Sequence, residues 1–119
     1  MSKSAREKIW GEKASQIEAK LRALDGDLAT LILDVVYDDV FERPGLDLRT
    51  KELLAVAHLM SVGGEDELKT HIYGALQNGS SLTEIKELIL HAAMFIGFPK
   101  AVNTMKVLRA VEARETGTP

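Results

Sequence analysis

The sequence predicts an all-α domain built from six helices. Apolar residues recur at three- and four-residue spacing along every long segment, and a capping residue or a glycine bounds each run. No segment shows the two-residue alternation of a strand. A length of 119 residues leaves room for one core, so residues 1–119 are expected to form a single domain.

The first helix is expected from about Ser4 to Leu24. Ser4 and Glu7 have the spacing of a capping box, and Trp10, Ala14, Ile17, Leu21 and Leu24 make its apolar stripe. Gly11 inside this helix costs about 1 kcal/mol relative to alanine, a cost that close packing against a neighbour would offset. Asp25-Gly26-Asp27 breaks the chain, and Asp27 is expected to cap a second helix through about Phe41. Leu28, Leu31, Ile32, Val35 and Val36 lie on one side of it. Arg43-Pro44-Gly45 ends it, because a residue before proline is pushed out of the helical region.

Asp47 is the expected cap of a third helix, which carries Leu53, Leu54, Val56, Ala57 and Met60. Gly63-Gly64 stops that helix and opens a fourth, whose acids Glu65, Asp66 and Glu67 suit the positive end of the helix dipole. Asn78-Gly79 is its stop signal. Ser81 and Glu84 form a second capping box at the head of a fifth helix. From Leu88 to Phe98 that helix is apolar nearly all round, and a short chain has difficulty covering every side of it. Association of subunits is therefore expected. Pro99 falls in the first turn of a sixth helix ending near Arg114, and residues 115–119 read as a frayed tail.

Composition removes several functions. The chain has no cysteine, which excludes disulfides, thiolate metal sites and a thiol nucleophile. A net charge of −3 and the absence of a basic run argue against nucleic acid or an anionic membrane as partner. The run from Leu88 to Phe98 is about half of what a bilayer span requires. The charged N-terminus lacks the apolar centre of a signal peptide. A soluble, cytoplasmic protein is expected.

Titratable side chains on apolar segments are the informative ones, since burying them is costly unless they are paired. Glu67 and His71 stand four residues apart and share a helix face. The pair fits either a general acid–base dyad, in which the carboxylate raises the imidazole pKa, or a solvated ion pair on a charged helix. Glu52, at the start of the third helix, reads from spacing as a first-turn acid facing the dipole. His58 and His91 sit among apolar neighbours and read as core histidines bonded to carbonyls. Glu84 is accounted for by its capping box. The acids at 65–67 lack the spaced oxygen ligands of a cation site, and the histidines do not match a His-Glu-x-x-His zinc pattern. No metal is expected.

Several blocks in order then point to a family. Arg43-Pro44-Gly45-Leu46 followed by Thr50-Lys51-Glu52-Leu53-Leu54 resembles the entry to the domain of carboxymuconolactone decarboxylases. Glu67-Leu68-Lys69-Thr70-His71-Ile72-Tyr73-Gly74-Ala75-Leu76-Gln77-Asn78-Gly79 is similar to their histidine-bearing helix. Ser81 to Glu87 and His91 to Ala101 resemble the next two blocks, and Arg6 to Glu12 looks like a short stretch near their N-terminus. The resemblance covers about nine tenths of the chain. The domain is shared by alkylhydroperoxidases, whose signature is a Glu, then Cys-x-x-Cys-x-x-x-His. Glu52 and His71 fit its Glu and His, while Gly64 and Glu67 stand in place of the cysteines. Thiol peroxidase activity is thereby disfavoured.

The resemblance implies an AhpD-like six-helix fold, assembly into trimers or hexamers, and a site between helices near a subunit interface. It implies a cofactor-free carboxy-lyase acting on 4-carboxymuconolactone or a close relative, in aromatic compound catabolism. His71 would be the proton donor, tuned by Glu67, with Glu52 completing the relay. Arg43 or Arg49 would clamp a substrate carboxylate, and His91 would donate to the enolate. Two departures stand out: Lys13-Ala14-Ser15 occupy the place of a histidine in the family's decarboxylases, and Glu52 that of a common serine. The alternatives are a paralogue acting on another carboxylated enol, and a non-catalytic oligomer that binds a small acid or a protein.

Overall fold

A computed structural model describes residues 4–116, and all six expected helical segments are present. Among the described residues there is no strand. The helices are α1 (Ala5–Trp10), α2 (Ala14–Leu24), α3 (Gly26–Thr30), α4 (Leu48–Val62), α5 (Glu65–Gln77), α6 (Leu82–Ile96) and α7 (Phe98–Thr116). Both capping boxes form, Ser4 with Glu7 and Ser81 with Glu84. Asp47 caps α4, accepting from the Thr50 amide at 2.8 Å.

The first two expected helices are interrupted. The chain breaks at Gly11, whose φ of +61° is a left-handed conformation that favours glycine, and a short 3₁₀ turn joins α1 to α2. The Tyr73 hydroxyl would lie 3.0 Å from a Cβ at this position, so the expected close neighbour is also there. Asp25 rather than Asp27 caps the second segment, accepting from the Leu28 amide at 2.8 Å. From Leu31 to Val40 the helix widens into π turns, ending with the Phe41 amide donating to the Val36 carbonyl five residues back.

This widening reverses the expected inner face. Ala29, Leu33 and Tyr37 are buried, whereas Leu28, Leu31, Val35 and Val36 face outward. The physical reason is the turn: positions four apart drift around an α-helix but stay nearly aligned when a turn takes more residues. The Arg6 guanidinium holds the π segment to the N-terminal helices. It grips both Asp38 oxygens at 2.7 and 3.1 Å and reaches Glu18 at 2.9 Å. These bonds, with Asp38 the larger contributor, raise the Arg6 pKa further above its usual value. Lys51 closes the other end, its ammonium donating to the carbonyls of Val40, Phe41 and Arg43.

Two apolar clusters result. Ile9, Trp10, Ala29, Leu33 and Tyr37 form the smaller. The larger joins α4 to α7 through Val56, Ile72, Ile85, Ile89 and Leu108. The α6 helix buries Ile85, Ile89, Ala92 and Ala93 and leaves Leu90, Met94 and Phe95 exposed, Phe95 at 74%. The α7 helix continues past Arg114 through Thr116, so residues 115–116 are helical rather than frayed; residues 117–119 lie outside the described residues. No described helix is long and apolar enough to cross a membrane.

Candidate active site

Helix α4 begins at Leu48, which carries Glu52 a full turn past the cap and onto the face of Val56 and Met60. Glu52 is consequently not a first-turn acid. It is 0% exposed, and α5 supplies its partner: His71 Nδ1 and Glu52 Oε2 are hydrogen-bonded at 2.8 Å, the ring N–H donating when the carboxylate is ionised. The His71 side chain is 14% exposed. With Nδ1 committed to the carboxylate, Nε2 is the nitrogen left to act, and no described residue bonds to it. This is the arrangement in which a carboxylate fixes the orientation of an imidazole and leaves its second nitrogen to do chemistry.

The expected Glu67–His71 pair does not form. Glu67 is exposed in the first turn of α5, its carboxylate folded back toward Gly64, where a Cβ would stand 2.8 Å from Oε2. Helical spacing made the two neighbours on one face, but the Glu67 carboxylate turns toward the head of its helix, where an acid suits the positive end of the dipole, and His71 turns to Glu52.

Two features hold Glu52 in place. Gly74 lies directly across from it: a Cβ there would come within 2.5 Å of Glu52 Oε2 and 2.9 Å of Ile9 Cγ2. The absence of a side chain on α5 is what lets the carboxylate reach His71. An aromatic ladder then covers the pair. Trp10 meets Tyr37 at 4.4 Å between centroids, Tyr37 stacks on Phe41 at 5.0 Å, and Phe41 stacks on His71 at 6.1 Å and 15°. Burial, with a smaller push from the Glu52 charge, raises the Tyr37 pKa, so that phenol stays protonated. The π turns put Tyr37 and Phe41 on one line. Their spacing of four was legible in the sequence; the ladder was not.

Glu52 Oε1 is buried with no partner among the described residues. Desolvation raises the Glu52 pKa, and the His71 bond offsets part of the rise. The sign follows from linkage: a carboxyl whose pKa is higher folded than unfolded contributes stability below its ordinary value and loses it as pH rises through the raised one. Glu52→Gln keeps the shape and removes the charge. Its stability relative to the wild-type chain should therefore increase as pH climbs from the ordinary glutamate range toward neutrality. Urea denaturation of both proteins across that range checks this, and a difference that stays flat or declines refutes it.

The remaining sequence candidates are dispersed. Arg49 is tied to Glu84 in an ion pair. His91 is exposed on α6 with its ring tilted against Phe95 at 5.3 Å. His58 is exposed on α4 rather than buried in the core. Arg43 is exposed beside Phe41, on the rim of a groove that also contains His58. Among the described residues no three His, Asp or Glu side chains converge as metal ligands.

A sequence model of the carboxymuconolactone decarboxylase family covers residues 26–110, a span that includes Glu52, His71 and Gly74. The chain is 33% identical over 107 residues to a 4-carboxymuconolactone decarboxylase of Acinetobacter baylyi, covering 89% of this chain and 80% of that one. It is 36% identical over 77 residues to a nitrosuccinic acid decarboxylase of Metarhizium robertsii, covering 65% of this chain and 54% of the relative. An uncharacterized 15.0 kDa protein of Paracoccus denitrificans is 29% identical over 100 residues, covering 80% of this chain and 75% of that protein.

Proposed function

Because the chain belongs to the carboxymuconolactone decarboxylase family, we propose that it removes carbon dioxide from a small dicarboxylate without a cofactor, His71 supplying the proton. The names of its relatives support a decarboxylase of this family. The leading substrate is 4-carboxymuconolactone or a close relative. The buried Glu52–His71 pair, with Nε2 free, is the observation that carries this reading.

The two named substrates have one chemical property in common. In 4-carboxymuconolactone the carbon that bears the departing carboxylate is linked through a carbon–carbon double bond to the lactone carbonyl. In nitrosuccinic acid a nitro group sits on the carbon that bears a carboxyl. In either case the carbon–carboxylate bond breaks, its electron pair moves into the adjoining sink, and carbon dioxide leaves. A dienolate or nitronate remains, and a proton must return to carbon. His71 Nε2 donates it, Glu52 holds the ring and balances its charge, and solvent reprotonates the imidazole. Incubating the lactone with the protein should abolish its ultraviolet absorbance and release carbon dioxide. A rate equal to that of buffer alone, for the lactone and for nitrosuccinate, would remove the decarboxylase reading and favour a binding protein.

We also infer self-association into a trimer or hexamer. The outward row of the π segment, with Leu31 at 60% exposure, and Leu90, Met94, Phe95 and Phe98 present large apolar side chains to solvent, the kind of surface that association covers. Sedimentation velocity should report the oligomer, and Phe95→Asp should weaken it. A wild-type monomer at assay concentration overturns the inference.

A further inference from the structure

We propose that the groove beside Phe41 holds the substrate's second, unreacting carboxylate, with Arg43 and His58 as its contacts. The proposal rests on the decarboxylase reading and specifies what that site grips besides the reacting carbon. The groove has a volume of about 780 Å³ and runs between the Arg43–Leu46 turn and α4, lined by Phe41, Arg43, Leu46, Leu54 and His58 among others.

Charge complementarity identifies the occupant. The charged or titratable groups lining this groove are Arg43, Lys51 and His58, and no acid is among its lining residues. Lys51 is committed to three backbone carbonyls, so it adds a positive field without a free donor. The Arg43 guanidinium and the His58 imidazole, by contrast, make no hydrogen bond with another described side chain. Arg49, the other arginine expected to clamp substrate, is already paired with Glu84. A free guanidinium above an apolar floor of Val40, Leu46 and Leu54 suits a carboxylate on a short hydrocarbon body.

Position ties the groove to the reaction. Phe41 lines it, and the same ring stacks on His71. His71 is not itself a lining residue, so on this proposal a substrate anchored at Arg43 extends past the Phe41 ring to reach the imidazole. Both named substrates keep one carboxylate after carbon dioxide departs. An anchor on that group holds the carbanion until it is protonated.

The test separates binding from chemistry by using adipate, a dicarboxylate with no electron sink, as a calorimetric probe. Wild-type protein should bind adipate, and Arg43→Gln should weaken binding by about tenfold or more, as expected for loss of a charged contact. His58→Gln should weaken it by roughly threefold. On the lactone, Arg43→Gln should raise KM far more than it lowers kcat. Failure of wild-type protein to bind adipate, or unchanged binding in the Arg43→Gln/His58→Gln double variant, overturns the proposal. So does a double variant that changes only the sedimentation behaviour, since a second copy would then fill the groove. Arg43-dependent adipate binding without any turnover would instead retain the subsite and discard the reaction.

Discussion

His71→Gln should lower kcat for decarboxylation by about 100-fold or more, the usual contribution of a positioned general acid, equivalent to roughly 2.7 kcal/mol of barrier. Glutamine fills a similar volume and can still bond to Glu52, so the fold is expected to survive. It has no proton to deliver to carbon. The loss should fall on kcat rather than KM, because the interaction is made only as the carbanion is quenched. Glu52→Gln should reduce turnover less, since the imidazole remains but its cationic form loses a buried counter-charge. Circular dichroism of each variant establishes folding, and the lactone assay gives the rates. Wild-type kcat in a folded His71→Gln protein removes His71 from the mechanism.

Gly74→Ala should produce the largest loss of stability among single-methyl changes near the site. Alanine is the better helix former by about 1 kcal/mol, which on an exposed helix would stabilise the protein. Here the added methyl would come within 2.5 Å of Glu52 Oε2 and 2.9 Å of Ile9 Cγ2. Both neighbours are fully buried and have little room to retreat. Overpacking of this kind costs about 1–3 kcal/mol, and two simultaneous overlaps put it at the upper end. The net is roughly 2 kcal/mol, or about 10 °C in melting temperature for a chain of this size. Turnover should fall as well, because the carboxylate must move away from His71. In a Glu52→Ala background the same change should cost less, since one of the overlaps is gone; equal costs in the two backgrounds would show that Glu52 is not what Gly74 accommodates.

Local signals were read well from the chain where the energetics are local. The boxes Ser4–Glu7 and Ser81–Glu84 and the Asp47 cap close within three residues, so a short window contains both partners. The reading failed where a partner comes from another segment or where the helical period changes. Residues 31–40 presented an apolar face to the sequence pattern and a different one to the core, because π turns realign positions four apart. Glu67 matched His71 by spacing, and Glu52 matched it only through the resemblance to a family; the bond that forms spans 19 residues. His58 looked like a core residue because its sequence neighbours are apolar, yet it faces a groove.

The amino-acid sequence by itself determined the all-helical class, the capped helix starts at Ser4, Asp47 and Ser81, the lack of thiol chemistry and the family, since each depends on residue identity or on contacts within a turn or two. Tertiary structure alone decided which acid meets His71, which glycine makes room for it and which aromatic ring covers it. Those choices depend on how α4, α5 and the π segment approach one another through space, a geometry that residue spacing along one helix does not encode.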